Sequence, residues 1–233
     1  MLNVLDAAMA DPWGVLRTVL GEPLHPGGED ATRALLDRAG VTHGTRLLDV
    51  GCGAGGSLAL ARDRGASAVG LDHDPRGPGT VRGDLASLPF RDASVDVVLA
   101  ECVLCLADLD RGLAETRRVL DAGGRLALSD VVVEGDLPDL PSRLTEALCL
   151  SGARDRERLR ERVAAAGFSV EHVADHRDDL LAMRDRAVSR VDYAGLLGAF
   201  GERGRRLRTG VEELEAAVED GRVGYVSIVA TAE

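Results

Sequence analysis

Short apolar runs alternate along the chain with longer stretches whose apolar residues recur at helical spacing. The runs rich in Val, Leu and Ala are 46–50, 67–72, 95–101 and 124–133. Such runs are typical of strands that are buried on both faces of a sheet. The amphipathic stretches are 30–39, 55–65 and 109–120, and their spacing predicts helices. The alternation indicates an α/β fold with a parallel sheet.

Beyond residue 142 the pattern becomes mainly helical. Helices are predicted at 142–150 and 155–167, strands at 169–174 and 222–231, and further helices within 176–221. We interpret the chain as one domain. Its predicted parts are an N-terminal helical cover at 1–43, a core at 44–175, a helical insertion at 176–221 and a final strand at 222–233.

The connection at 73–82 departs from this alternation. Pro75, Gly77, Pro78 and Gly79 fall within it, and proline and glycine both disfavour a helix. We therefore expect a loop where a regular crossover between parallel strands would place a helix. A loop there would leave the neighbouring edge of the sheet more open.

Composition narrows the class of protein. The 233 residues are 45% hydrophobic, enough for a large core, and the formal net charge of -11 opposes binding to nucleic acid. We expect no membrane span, because no run approaches the length that one needs. Residues 1–20 lack the pattern of a signal peptide, so we expect a cytoplasmic protein whose four cysteines are free thiols. The pattern does not indicate an oligomeric state.

A glycine-rich turn follows the first predicted strand. Asp49 precedes Gly51, Gly53, Gly55 and Gly56, after which a helix is predicted. Glycines at the start of a helix let backbone amides approach a ligand closely. Asp72 ends the second predicted strand, where an acid suits ribose hydroxyls. Alone, this pattern also fits a dinucleotide site or a simple tight turn.

Further segments resemble the class I S-adenosylmethionine-dependent methyltransferases over most of the chain. The matching segments are LLDVGCGAGG (47–56), VGLDHD (69–74), GDLASLPFRDASVDVVLAECVL (83–104) and RVLDAGGRLALSD (118–130). The resemblance implies a Rossmann-like, mostly parallel, seven-stranded sheet with helices on both faces. It also implies S-adenosylmethionine as the cofactor and a small molecule or metalloid as the substrate.

The resemblance places the cofactor by position. It assigns Asp49, Gly51, Gly53 and Gly55 to the methionine part and Asp72 to the ribose, while Asp84 and Leu85 flank the adenine. LHPGG (24–28) resembles a segment that covers the methionine end, which assigns His25 there. His73 and Glu101 complete the predicted cofactor set.

The cysteines suggest an acceptor. Cys102 and Cys105 follow the fourth core strand, and Cys149 follows the fifth. This arrangement resembles the arsenite methyltransferases, in particular a bacterial subgroup similar to them. The resemblance implies that Cys102 and Cys149 bind trivalent arsenic, a thiophilic ion. Residues 1–51 contain no cysteine, so Cys105 is the candidate for the third ligand that many of those enzymes have near the N-terminus.

Several alternatives remain open at this point. Free cysteines are often buried as small hydrophobic residues, and Cys52 fits that interpretation best. An O-, N- or C-methyltransferase acting on a small metabolite would use Glu101, His25 or His176 as its base. A regulatory module that binds the cofactor without catalysis also fits the pattern. A zinc or redox site at Cys102 and Cys105 is disfavoured, because no second pair of ligands lies at the usual spacing.

Overall fold

The computed structural model describes residues 4–233, and the predicted N-terminal cover therefore falls partly outside the described residues. The strands are β1 (Arg46–Val50), β2 (Ser67–Asp72), β3 (Thr80–Arg82), β4 (Val95–Glu101), β5 (Leu120–Val133), β6 (Phe168–Asp175) and β7 (Val223–Ala232). They form one sheet in the order β3-β2-β1-β4-β5-β7-β6. Only β7 is antiparallel to its neighbours in this sheet. The expected Rossmann-like, mostly parallel sheet is confirmed.

Helices cover both faces of the sheet. Those in residues 4–233 are α1 (Val4–Ala10), α2 (Pro12–Leu20), α3 (Gly28–Arg38), α4 (Gly56–Asp63), α5 (Leu109–Val119), α6 (Ser142–Ala147), α7 (Arg156–Ala165), α8 (Arg177–Arg190), α9 (Tyr193–Gly198) and α10 (Gly201–Glu219). The last three lie between β6 and β7, where the helical insertion was predicted. Among residues 4–233, none of these helices is long and apolar enough to cross a membrane.

The sheet separates two hydrophobic cores because successive strand residues point to opposite faces. In β1, Leu47 packs with Leu36 of α3 and Leu58 of α4. Its neighbour Leu48 packs in the other core with Leu113 of α5. All five leucines are at most 1% exposed. Each would contribute about 1.5 to 3 kcal/mol of burial free energy, so the two cores fix the strands that carry the site.

Helix ends follow from local sequence. Asp108 caps α5 by accepting a hydrogen bond from the Arg111 amide, and Arg117 and Arg118 lie in the last turn of that helix. Both features are favourable for a helix dipole. α3 carries two acids in its first turn and a basic residue in its last. These signals explain why both helices were predicted within two residues of their observed ends.

Three predicted boundaries were wrong. The third strand is the three-residue β3, within the stretch that was expected to be a loop and just before the segment 83–104. β5 begins at Leu120, four residues before its predicted start. The helix predicted at 142–150 ends at Ala147, because Cys149 adopts a left-handed backbone conformation with φ of 59°. A helix cannot continue through such a residue.

Candidate active site

The glycine-rich turn connects β1 to α4. Gly51, Gly53 and Gly55 all have positive φ, at 75°, 50° and 82°. The Gly51 amide donates to the Leu71 carbonyl at 2.7 Å, which holds the turn against β2. A Cβ atom on Gly51 would lie 2.1 Å from Cγ2 of Val103. The turn therefore requires glycine, and its close packing brings it against the segment that follows β4.

Two aspartates hold this turn. Asp72 accepts hydrogen bonds from the amides of Gly53 and Asp74, both at 2.8 Å. Asp49 is 3% exposed and accepts a hydrogen bond from the Ser57 hydroxyl at 2.7 Å. Burial raises the pKa of Asp49 to about 8, although the hydrogen bond from Ser57 opposes the shift. The charges of neighbouring acids raise it further.

Glu101 ends β4 beside the turn. Its carboxylate accepts hydrogen bonds from the Thr32 hydroxyl of α3 at 3.0 and 3.2 Å, and Nε2 of His25 lies 3.8 Å away. Burial raises the pKa of Glu101 to about 7, opposed by the bond from Thr32. Burial also lowers the pKa of His25, so this histidine favours its neutral form.

The charge of this cleft suits a cationic ligand. Among residues 4–233, no arginine forms an ion pair with Asp49, Asp72 or Glu101. Buried carboxylates without a counter-ion are costly, and a bound cation relieves that cost. S-adenosylmethionine carries a positive sulfonium, so the chain's own residues fit this cofactor.

The residues that were predicted to border the adenine differ from one another in their exposure. Asp84 and His73 are both exposed, and Nε2 of His73 lies 3.9 Å from Oδ1 of Asp84. The Leu85 side chain is 4% exposed and packs against Gly112 of α5. The Leu85 side chain therefore belongs to the hydrophobic core, which leaves only its backbone for the contact with adenine that the sequence predicted.

The predicted loop after β2 contains no helix, as expected, but it does not leave this edge open. The Arg76 amide donates to the Gly53 carbonyl at 3.2 Å, and the guanidinium forms an ion pair with Glu22 at 2.8 Å. A Cβ atom on Gly77 would lie 2.5 Å from the Ala54 carbonyl oxygen. The loop lies against the glycine-rich turn, and Arg76 connects it to the segment after α2.

The predicted acceptor thiols converge. The sulfurs of Cys102 and Cys149 lie within 4.8 Å of each other and of a carboxylate oxygen of Asp130. The Cys149 thiol also donates to the Cys102 carbonyl at 3.6 Å. Cys105 lies beside the same group, because its amide donates to Asp130 at 2.8 Å. Cys52 lies apart, in the core between the sheet and α4.

Backbone conformation brings the two cysteine segments together. Cys102 and Cys149 have φ of 54° and 59°, a left-handed conformation that residues other than glycine rarely adopt. A Cβ atom on Gly152 would lie 2.1 Å from the Cys105 carbonyl oxygen. The segment after α6 therefore packs directly on the segment after β4, and glycine allows that approach.

Burial and mutual contact keep these thiols protonated. The pKa of Cys102 is raised well above its usual value by its hydrogen bond with Cys149 and by burial. The bond with Cys149 lowers the pKa of Cys105, but burial and Asp130 outweigh it and the value is about 12. The pKa of Cys149 is also raised. A ligand must then displace thiol protons as it binds.

Polar side chains line a small cavity between α3 and the sheet. Tyr225 donates to the Ser129 hydroxyl at 2.7 Å, and the Cys102 thiol lies 3.7 Å from the Tyr225 hydroxyl. Nε2 of His176 lies 2.8 Å from the Ser227 hydroxyl. The cavity is lined by Glu101, Ser129, His176, Tyr225 and Ser227. The alternative bases Glu101 and His176 therefore share one cavity.

Sequence reasoning missed four residues of this site: Thr32, Asp130, Ser129 and Tyr225. Ser129 and Asp130 are the last two residues of the segment 118–130 that resembles the family, and that position was the available signal. Thr32 and Tyr225 join the site through contacts between distant parts of the chain, such as Cys102 with Tyr225, 123 residues apart. Periodicity in the sequence does not report such contacts.

A seven-stranded sheet with a glycine-rich turn after β1, bordered by buried acids, defines a nucleoside-binding α/β protein. Comparison with known proteins identifies the family to which the chain belongs. Residues 48–128 match the family described as a methyltransferase domain. The O-methyltransferase cnsE of Penicillium expansum is 30% identical over 225 residues, covering 87% of this chain and 78% of that protein. The chain belongs to the class I S-adenosylmethionine-dependent methyltransferases, and S-adenosylmethionine is its cofactor.

Two further relatives match over part of their length. The methyltransferase GfsG of Streptomyces halstedii is 38% identical over 157 residues, covering 59% of this chain and 56% of that protein. An arsenite methyltransferase of Halobacterium salinarum is 32% identical over 157 residues, covering 58% of this chain and 40% of that protein. The chain thus spans about half the length of these relatives.

Solved structures support the fold. The [4+2]-cyclase SpnF has a TM-score of 0.70 at 24% identity, covering 96% of this chain and 92% of that one. Phosphoethanolamine N-methyltransferase 2 of Haemonchus contortus, in complex with S-adenosyl-L-methionine, has a TM-score of 0.69 at 21% identity, covering 94% of this chain and 56% of that one. These structures differ in their chemistry, so the fold alone does not identify the acceptor.

Proposed function

We propose that this methyltransferase transfers a methyl group to trivalent arsenic held by Cys102, Cys149 and Cys105. The observation that carries the proposal is the convergence of the Cys102 and Cys149 sulfurs within 4.8 Å. Trivalent arsenic prefers thiolate sulfur, and several sulfurs must approach one another to share one ion. The similarity to an arsenite methyltransferase over 157 residues is consistent with this acceptor.

The thiol cluster lies next to the cofactor turn. Val103 directly follows Cys102, and its side chain contacts Gly51. The methyl donor is activated already as a sulfonium, so the protein must mainly orient the acceptor and exclude water. Cys105 and Cys149 are 4% and 5% exposed, which keeps the acceptor away from bulk water.

Protonated thiols are compatible with this chemistry. Arsenous acid condenses with three cysteine thiols, forming three arsenic–sulfur bonds, and each thiol proton leaves with an arsenic hydroxide as water. Attack of the arsenic lone pair on the methyl carbon would leave the electron pair of the broken sulfur–carbon bond on the cofactor's sulfur. Hydrolysis of the three arsenic–sulfur bonds by water would then return the protons to the thiols and release a methylated pentavalent arsenic oxyacid. No side chain needs to act as a general base in these steps.

We assign the cofactor to the residues around the glycine-rich turn. Asp49 and the backbone of Gly51, Gly53 and Gly55 would hold the methionine part, with Glu101 and His25 beside it. Asp72 would accept hydrogen bonds from the ribose, because its oxygens already face the turn. His73, Asp84 and the backbone of Leu85 would border the adenine.

The acceptor is tested by arsenite binding and by product formation. We expect one arsenic atom per chain in equilibrium dialysis of the reduced protein, and methylated arsenic once S-adenosylmethionine is added. Mass spectrometry of the products would identify the methylated species. An absence of saturable arsenic binding, together with methylation of a small hydroxyl, amine or carbon acceptor, would overturn the proposal. The cavity that contains Glu101 and His176 would then be the acceptor site.

The buried acids predict a pH dependence of cofactor binding. The pKa values of Asp49 and Glu101 are about 8 and about 7 without ligand, so both acids are mostly protonated near pH 6 and ionised near pH 9. A sulfonium favours the ionised acids. We therefore expect the affinity for S-adenosylmethionine relative to S-adenosylhomocysteine, which lacks that charge, to rise about tenfold over this range.

Calorimetry with both ligands at a series of pH values measures this ratio. The two ligands share the same amino and carboxylate groups, so their ratio isolates the sulfonium. Glu101→Gln should reduce the dependence between about pH 6 and about pH 8, where Glu101 titrates. A ratio that is constant with pH would contradict the placement of the sulfonium beside these acids.

A further inference from the structure

Asp130 is a buried acid that the proposed methyl transfer does not use. Asp130 is 3% exposed. Its carboxylate accepts hydrogen bonds from the amides of Cys105 and Val131 at 2.8 and 3.0 Å. Within residues 4–233, no arginine or histidine lies within ion-pair distance of it; burial raises the pKa of Asp130 to about 6, and the charge of Arg154 only partly opposes that shift. Two amide bonds only partly replace the water that a buried carboxylate has lost. The group is therefore poised to accept a cation.

The thiols beside Asp130 supply the remaining donors. One carboxylate oxygen of Asp130 and the sulfurs of Cys102 and Cys149 lie within 4.8 Å of one another. In a tetrahedral zinc site, zinc–sulfur bonds of about 2.3 Å and zinc–oxygen bonds of about 2.0 to 2.2 Å place the donors about 3.5 to 3.8 Å apart. A contraction of about 1 Å would bring these three donors to that spacing.

The donor set distinguishes two kinds of ion. Trivalent arsenic is satisfied by three sulfurs and leaves the carboxylate without a role. A divalent thiophilic cation takes four donors in a tetrahedron and accepts carboxylate oxygen as well as sulfur. The sulfur of Cys105 is not among the donors that lie within 4.8 Å of one another. Its backbone amide lies 2.8 Å from the Asp130 carboxylate, so a movement of its side chain would bring a fourth donor to the group.

We propose that Cys102, Cys149 and Asp130, with Cys105 as fourth ligand, form a binding site for a divalent thiophilic cation of the zinc class. The sequence disfavoured zinc at Cys102 and Cys105 because no second pair of ligands lies at the usual spacing, and the fold supplies that pair as Cys149 and Asp130. Three thiol protons pass to the buffer as the cation binds. The cation then occupies the sulfurs that trivalent arsenic needs, and it excludes arsenic from the site. The cation site stands independently of the acceptor, whereas the competition rests on the proposed function.

Cobalt(II) is the probe for this site, because its spectrum reports both ligand type and geometry. Reduced protein is titrated with Co²⁺ in the absence of oxygen, and Zn²⁺ is then added to displace it. We expect one equivalent to bind, with a sulfur-to-cobalt charge-transfer band and the intense d–d bands of a tetrahedral site. Zn²⁺ should abolish both. A titration without saturation, or a spectrum without the sulfur band, would refute the proposal.

Variants distinguish this site from adventitious thiol binding. Asp130→Asn keeps the shape of the side chain but removes its charge, and it should weaken Zn²⁺ binding at least about tenfold while keeping the stoichiometry of arsenic binding. Cys149→Ser should weaken the sulfur band and lower the affinity for Co²⁺, because one of the three sulfur ligands is lost. Cys52→Ser is the matched control, because Cys52 lies in the other core, and it should retain full binding. Equal Zn²⁺ affinity of Asp130→Asn and the unaltered protein would rule out Asp130 as a ligand.

The two proposals fail in different measurements. If the protein methylates arsenic but has no Zn²⁺ site, only the proposed cation site is refuted. If it has a Zn²⁺ site but neither binds nor methylates arsenic, only the proposed acceptor is refuted. If Asp130→Asn does not fold, competition in the unaltered protein decides: one equivalent of Zn²⁺ should be released as arsenite binds. Simultaneous binding of both ions would show that they use different residues.

Discussion

Replacing both Cys102 and Cys149 with serine is expected to abolish arsenic methylation. Serine keeps the size of the side chain but supplies a hard oxygen in place of a soft sulfur. Removal of even an outer partner of a metal ligand commonly costs 10- to 100-fold. Loss of two direct ligands should therefore lower kcat/KM by more than about 100-fold. Product formation measured by mass spectrometry gives this ratio.

Cofactor binding provides the first control, since the double variant should bind S-adenosylhomocysteine as the unaltered protein does. Ser151→Ala is the second control. Ser151 is exposed and lies two residues after Cys149, in the same segment, so it tests whether any change there has the same effect. Normal arsenic methylation by the double serine variant would contradict the proposed acceptor and favour a metabolite methylated beside Glu101.

Gly51→Ala is expected to weaken cofactor binding and to destabilise the fold. The left-handed backbone costs a residue with a Cβ atom about 1 to 2 kcal/mol, and Gly51 has φ of 75°. The new Cβ would lie 2.1 Å from Cγ2 of Val103. Valine has few rotamers, so the backbone around Val103 must shift, and with it Cys102. We expect the dissociation constant for S-adenosylmethionine to rise more than about tenfold.

Gly123→Ala is a control with the same backbone cost. Gly123 also has φ of 75°, but a Cβ atom there would meet no other atom within 4 Å. Both variants should lose the backbone contribution to the free energy of unfolding, and only Gly51→Ala should lose cofactor affinity. Denaturant titration and calorimetry measure the two quantities. Equal cofactor affinity of the two variants would mean that the turn does not bind the cofactor through close approach.

Local signals predicted the parts of this site that depend on short segments. The turn Gly51–Gly55 was predicted because glycine spacing and the strand before it are read from adjacent residues. Convergence of Cys102 and Cys149 was expected because parallel strands end at one edge of the sheet, and the two sulfurs lie within 4.8 Å. Here the topology of the sheet converts sequence positions into a spatial arrangement.

Other features depend on contacts that no local pattern reports. Cys149 was predicted to lie in a helix because its neighbours have helical spacing, yet its left-handed backbone is imposed by packing against the segment after β4. Thr32 was not selected because its role depends on Glu101, 69 residues away. The loop after β2 was correctly predicted to lack a helix, but the pairing of Arg76 with Glu22 required the folded chain.

The left-handed backbone at Cys102 and Cys149 has a consequence for molecular evolution. At such a position glycine removes about 1 to 2 kcal/mol of conformational strain, and asparagine and aspartate also tolerate the conformation. Asparagine and aspartate would also bury a polar group, since Cys149 is 5% exposed, so substitution without selection for sulfur should favour glycine. If the proposed acceptor is right, a lineage that abandoned thiol chemistry would carry glycine at 102 and 149 while its glycine-rich turn stayed intact. The identities of these two residues would then date a change of acceptor within the family tree.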